Sequence, residues 1–361
     1  MSVLEKDPPQ VVGRARPTAY GDQPFWRRAL FVAVAYVACL LVFAVFAATQ
    51  GADPLSIFST MLQSSVLDWG TLQQTLVRSV PIVLAALACT IPARAGLVNV
   101  GGEGQIIMGS IAAIGVGLAL GQAVGGPLAW LAIVVGAAAA GAVWCGICGF
   151  LRVRLNASES VTTLFFNFIA ADVMLFFIYQ VWREGDATSL PQSEPLTSDQ
   201  MLPTFGGLQL TLAVPFMVLV VAGVWALLKY TSWGFRLTVA GGNPTAALRS
   251  GLPVRRILLG SMLAGGALAG IGGALNVMGA EGALRPGMTA SFGYVAFLAN
   301  FLGGSRPFPV LGAAILFSAI ANSGNGLQLS EGLNGSAVNV LLGLIVLTML
   351  VVSGRKKEAF S

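Results

Sequence analysis

Between residues 29 and 353 the chain is a succession of apolar runs, most of them about 20 residues long. A helix of that length rises about 30 Å, the thickness of a bilayer's hydrocarbon core. In lipid every backbone N–H and C=O must be satisfied within the protein, so such runs fold as helices. They lie near 29–49, 71–91, 104–122, 127–150, 160–181, 210–229, 257–279, 291–303, 308–322 and 337–353. The expectation is an all-α polytopic membrane protein of about ten spans, eight at the fewest. The runs 291–303 and 308–322 are short for the task. They are expected to be tilted, re-entrant or shielded by protein.

Composition closes the alternatives. Only 10% of the 361 residues are charged, whereas a soluble surface takes near a quarter of a chain. A soluble enzyme, a nucleic-acid-binding protein and a disordered chain are excluded, and the net charge of +5 is no nucleic-acid signal. Where the charges sit matters more. With the N-terminus inside, 17 of the 20 basic residues fall in cytoplasmic stretches, leaving Arg78, Arg183 and Arg285 outside. The outer segments hold acids such as Asp53, Asp68, Glu184, Asp186, Glu194, Asp199, Glu281 and Glu331. The positive-inside rule therefore predicts N-in, C-in and an even number of spans. Residues 1–28 and 354–361 become cytoplasmic tails, and 29–353 the transmembrane domain.

Absences narrow the chemistry. The sequence has no His, which removes His-based acid/base work and His metal or haem ligation. It has no G-x-x-x-x-G-K-[ST] and no G-x-G-x-x-G, so no nucleotide-phosphate loop of those types is expected. Cys39, Cys89, Cys145 and Cys148 all lie in apolar runs, against a disulfide framework. Cys145 and Cys148 are expected as small residues on one helix face. The N-terminal stretch lacks a short apolar region with a cleavage site, so no removed signal peptide is expected.

Two hydrophilic stretches are long enough to have tasks. Residues 182–209 form an acidic outer loop containing Pro and Ser, and residues 229–256 a basic cytoplasmic one. Within the second, TAALR lies between GGNP and SGLP. Pro244 after Asn243 suits a helix start and Gly251 a helix end. A short capped helix there is either a docking element or a plain connection. Glycine adds two patterns. Gly266-x-x-x-Gly270 and Gly117-x-x-x-Gly121 suit close helix packing. Gly96, Gly101, Gly102 and Gly104 crowd around polar residues in AGLVNVGGEGQ, and predict a helix broken at membrane depth, as transporter sites use.

These residues resemble a known family. AGLVNVGGEGQ (95–105) is similar to the G-L-F-N-I-G-A-E-G-Q signature of permease subunits in bacterial ABC importers for nucleosides and simple sugars. SESVTTLFFNFIA (158–170) resembles that family's N-E-V-I-T-T-L-x-x-N-Y-I-A. WGFRLTVAGGNPTAALRSGLPVRR (233–256) resembles its coupling segment, and GYVAFLANFLGGSRPFPVLGAAILFSAI (293–320) its G-x-x-x-I-A-V-A-L-L-G-x-x-x-P-x-G region. Together the matches run through most of residues 70–350 in the family's order. The wider family includes branched-chain amino-acid and ribose permeases, and the ribose signature differs from Gly96–Gln105. The resemblance implies an importer permease fold with an inverted repeat, in a bacterial inner membrane. It implies pairing with itself or a similar permease, with cytoplasmic ATPase subunits and with an extracytoplasmic binding protein. No cofactor is expected, because ATP belongs to the partner. The coupling residues are then Gly242, Asn243, Pro244, Ala246, Ala247, Arg249 and Gly251, with Ala246 and Ala247 allowing a partner to approach closely.

Polar groups at membrane depth each need a reason. Glu103 either lines the passage, hydrogen-bonding a solute hydroxyl, or caps a helix at the interface. Asn99, Gln105, Asn167 and Asn300 are either solute contacts or helix-to-helix glue. Asp172 and Arg78 are candidates to pair with each other, and a structural role is expected for both. Competing readings are a permease for another small polar solute and an ion-coupled secondary transporter. The latter has few membrane carboxylates here and no use for a coupling helix.

Overall fold

The computed structural model describes residues 25–183, 191–289, 291–330, 338, 340–345 and 347–348. Two compact units result, residues 1–54 with 336–361, and residues 55–335. The first contains α1 (Phe25–Thr49). Of the expected tenth span, 337–353, the nine described residues are helical and the other eight fall outside the described residues, as do residues 1–24, 354–361 and 184–190.

The second unit is built from helices. They are α2 (Pro54–Leu62), α3 (Trp69–Arg94), α4 (Gly102–Leu120), α5 (Gly126–Leu155), α6 (Glu159–Phe176) and α7 (Ala213–Tyr230). There follow α8 (Ser232–Gly242), α9 (Pro244–Arg249), α10 (Val254–Asn276), α11 (Phe292–Leu302) and α12 (Pro307–Ser330). One π-helical turn extends each of α6 and α10, to Val181 and Glu281. Seven of the helices are long and apolar enough to cross a membrane: α3 to α7, α10 and α12. The 11 residues of α11 rise only about 16 Å, so the helix by itself covers about half of a crossing. Phe292, Gly293, Val295, Ala296, Ala299 and Asn300 on it are buried, so protein shields this segment. α2 and α8 were not legible as helices in the sequence.

Helices α3 and α10 form the centre. Along α3 every residue from Ser79 to Pro92 is buried. α10 packs against α3, α4 and α5 through glycine. A Cβ on Gly270 would meet the backbone of Ala137 and Gly141, and one on Gly273 would meet Ser110 N at 2.8 Å. The pattern at Gly266 and Gly270 therefore is close helix packing. Gly117 and Gly121 differ. Gln200 Nε2 donates to both of their carbonyl oxygens, each at 2.9 Å, and Leu196 lies against Gly117. That pair seats the 182–209 segment, with Ile133 of α5 further off at 3.7 Å from a Cβ on Gly117. Backbone bonds from Ser193, Leu196 and Leu202 to Leu284, Gly282 and Met278 fasten the same loop to the end of α10. Cys145 and Cys148 are free thiols buried on one face of α5, beside Leu97 and Met262.

Candidate functional site

The connection between α3 and α4 is where distant parts of the sequence meet. The expected break lies only at residues 95–101, because Gly102 and Gly104 are inside α4. They are helical for a steric reason. Built Cβ atoms would meet Gly293 Cα at 3.3 Å from Gly102, and Phe166 O at 2.9 Å from Gly104. Glycine here admits another backbone rather than breaking the helix.

Within the connection, Asn99 and Gln105 pair their amides. Gln105 Nε2 donates to Asn99 Oδ1 at 2.9 Å, and Asn99 Nδ2 donates to Gln105 Oε1 at 3.1 Å. Asn99 Nδ2 also donates to Ala88 O, and Asn99 Oδ1 accepts from Gly101 N. α6 grips the same loop from the side. Asn167 accepts from Gly104 N at 2.8 Å and donates to Val100 O at 3.0 Å. Val100 N donates to Thr163 Oγ1. Val98 N donates to Glu159, which also pairs with Arg152 at 3.2 Å.

From the other side comes α11. Both Glu103 oxygens are used: Oε1 accepts from the Thr289 hydroxyl, and Oε2 from Gly293 N at 2.6 Å. Thr90 Oγ1 on α3 donates to Asn300 Oδ1 on α11 at 2.8 Å. The five pathway candidates are thus 0–8% exposed, with hydrogen bonds running to other protein groups. Low-dielectric burial makes such a network stiff and costly to break. Its chemistry is positioning: it holds three helix ends around one short loop.

The segment expected to couple, 233–256, touches this connection. A Cβ on Gly241, at the end of α8, would meet Ala95 C at 2.9 Å and Gly96 N at 2.9 Å, and Gly96 has φ +79°. Beyond that contact α9 forms as the capping residues require. Asn243 Oδ1 accepts from Ala246 N at 2.9 Å, Pro244 takes the first helical position, and Gly251 ends the turn at φ +79°. Gly242, Asn243, Pro244, Ala246 and Arg249 are exposed, but Ala247 is fully buried in its own subunit. Of the alanine pair, only Ala246 faces outwards. Leu248, 64% exposed, is the outward apolar residue that the sequence reading overlooked, because spacing alone did not fix which face of so short a helix is covered.

Arg78 and Asp172 do not pair. Both are exposed, and the ion pairs among the described residues are Arg152–Glu159 and Arg285–Glu281. Asp172 lies about 20 Å along the roughly 34 Å of α6 with its π turn. It shares an outward face with Val161, Phe165, Phe168, Phe176 and Tyr179. The pairing failed because helix phase, not depth alone, decides what a side chain meets.

Residues 71–352 match the family described as branched-chain amino acid transport system, permease component. The chain is 28% identical over 328 residues to the glucose ABC transporter permease TsgB13 of Haloferax volcanii, covering 87% of this chain and 85% of that protein. It is 30% identical over 281 residues to the guanosine ABC transporter permease NupP of Bacillus subtilis, covering 76% and 79%. It is 25% identical over 336 residues to the nucleoside ABC transporter permease NupB of Lactococcus lactis, covering 90% and 91%. The segments that carried the resemblance in the sequence are those that interlock around residues 94–105. With these matches and its apolar helices, the chain belongs to the branched-chain amino-acid transport permease family, as a multi-pass membrane subunit of an ABC transporter whose ATPase is a separate protein.

Proposed function

We propose that this permease imports a nucleoside or a simple sugar handed over by an extracytoplasmic binding protein. The relatives named for guanosine, nucleosides and glucose support that class. In this reading the chain has ten spans with an inverted repeat, both tails are cytoplasmic, and the 182–209 loop is outside. Basic residues close α3, α5, α7 and α9, where they complement the helix dipole and favour the cytoplasmic side.

The observation that carries the reading is the contact of Gly241 with the Arg94–Gly96 turn. A cytoplasmic ATPase docks on the outward face of α9, through Ala246, Leu248 and Arg249. Movement of α8 then reaches the α3–α4 connection without an intervening side chain. Asn99, Glu103, Gln105, Asn167 and Asn300 serve the passage by fixing the shape of that connection. A second permease covers the outward face of α6, because a carboxylate such as Asp172 at mid-span belongs in a bundle interior or a water-filled passage rather than in lipid.

Reconstitution with the cognate ATPase and binding protein tests this. ATP-dependent uptake of labelled guanosine or glucose is expected, competed by the unlabelled solute and not by leucine. Uptake of leucine alone would move the chain to the amino-acid branch of its family. Uptake that needs an ion gradient and no ATPase would replace the mechanism.

A further inference from the structure

We propose that the cleft between the ends of α3 and α7 and the turn before α12 binds the phosphate-bearing headgroup of an anionic phospholipid. The cleft has a volume of about 350 Å³, and three cations line it: Arg94, Lys229 and Arg306. Among the described residues no Asp or Glu lines it with them. Arg94 is the last residue of α3, Lys229 lies in the last turn of α7, and Arg306 precedes α12. Lys229 and Arg306 are exposed and Arg94 is half-buried. The Nε of Arg94 is buried without a hydrogen-bond partner, and the ion pairs among the described residues lie elsewhere. Three like charges converging on one cleft repel. One phosphate group relieves that repulsion, since a guanidinium fork matches its oxygens.

The rest of the lining says which source of phosphate fits. Trp225, Leu228 and Phe308 form an apolar wall beside the charges. Lys229 Nζ stands 4.9 Å from the Trp225 ring centre, and the Trp225 and Phe308 rings are 5.7 Å apart. Tryptophan beside basic residues at the ends of spans is the pattern of a membrane interface. Basic pockets between spans there take anionic headgroups. A free phosphate ion has no use for the apolar wall, whereas an acyl chain lies along it. The residues of α9, proposed above for the ATPase, do not line the cleft.

The test is lipid retention by the purified permease–ATPase complex, read by native mass spectrometry after exchange into phosphatidylglycerol or phosphatidylcholine. Phosphatidylglycerol is expected to be retained in preference. The double variant Lys229→Gln with Arg306→Gln is expected to retain it about tenfold less, with phosphatidylcholine unchanged and a normal elution volume. Arg306→Lys, which keeps the charge, is expected to retain most of it. Equal retention by the double variant overturns the proposal. So does full displacement by millimolar inorganic phosphate, which would assign the cleft to the free ion. Loss of the ATPase with lipid retention unchanged would assign it to a protein partner instead. Should the double variant not fold, Lys229→Gln alone gives the same reading.

Discussion

Two short polar segments meet at one end of this permease and are built on opposite terms. Residues 95–105 and residues 241–251 both contain Gly and an Asn whose side-chain oxygen accepts a nearby backbone N–H, and both connect helices. In the first the polar groups point inwards: Asn99, Glu103 and Gln105 are buried, with Asn99 bonded to α3, Glu103 to α11 and the Gly104 N–H to α6. In the second Asn243 caps its own helix, while Ala246, Leu248 and Arg249 face away from the subunit. A buried network tolerates no missing partner, because each orphaned donor or acceptor costs its full desolvation. An outward face tolerates change until something docks on it. The contrast separates a segment held inside the subunit from one that presents its face outwards, where a partner is proposed to dock.

The largest effect is expected at the tightest point of the inner segment. A side chain at Gly104 would run into Phe166 O and Asn167, so Gly104→Val forces backbone to move. Overpacking of this kind costs about 1–3 kcal/mol, and more where backbone is the obstacle. Loss of the folded peak in detergent size-exclusion chromatography is the expected reading. A stable, transporting Gly104→Val would break the comparison by showing the connection to be loose.

Ala247 and Leu248 are neighbours that fall on opposite sides of it. Ala247→Glu puts a carboxylate into the subunit's own packing, at a cost of several kcal/mol if no cation reaches it. The melting temperature of the isolated permease should fall. Leu248→Glu should leave that temperature within a degree or two and weaken co-purification of the ATPase. The reverse pattern would mean that α9 presents its other face.

Glu103→Gln is expected to act more mildly. The amide keeps the shape and its oxygen still accepts from Gly293 N–H, but its NH2 then donates to the Thr289 hydroxyl, whose own proton loses its acceptor. An unsatisfied pairing of that kind costs about 1–3 kcal/mol, so stability and uptake should fall together while membrane insertion persists. Reduced uptake at unchanged stability would instead mark Glu103 as a contact for the solute.

Much of this was legible in the sequence, and the remainder has physical reasons. Apolar runs gave α3 to α7 and α10 to within about five residues at each end, because a span's length and hydropathy are set by the bilayer, whereas α12 continues to Ser330, eight residues past the expected 308–322. Asn243, Pro244 and Gly251 marked α9, because caps are local chemistry. The motif residues of the candidate site were legible as a set, but not their environment. Asn167 could be read as a membrane asparagine, yet only the fold shows it closing on Gly104 and Val100. The phase of α6 likewise decided against an Arg78–Asp172 pair. The basic cleft was missed because Arg94, Lys229 and Arg306 are 77 or more residues apart, and each reads alone as an ordinary charge at the end of a helix.

The two asparagines give the finest test of the comparison. Each accepts a backbone N–H through its side-chain oxygen: Asn99 from Gly101 N and Asn243 from Ala246 N, both at 2.9 Å. Their surroundings differ. Asn99 is 1% exposed and also pairs with Gln105 and Ala88, so Asn99→Ala orphans several buried groups at once. Asn243 is exposed, and water satisfies what its removal leaves. An N-cap lost to Ala costs about 1 kcal/mol of helix stability, felt by a helix of six residues. Asn243→Ala is therefore expected to leave the melting temperature of the permease unchanged and to lower uptake a few-fold, because the docking helix frays. Asn243→Asp restores the cap and should restore uptake. If Asn243→Ala lowers the melting temperature as far as Asn99→Ala does, α9 is part of the rigid subunit and the distinction between the two segments falls.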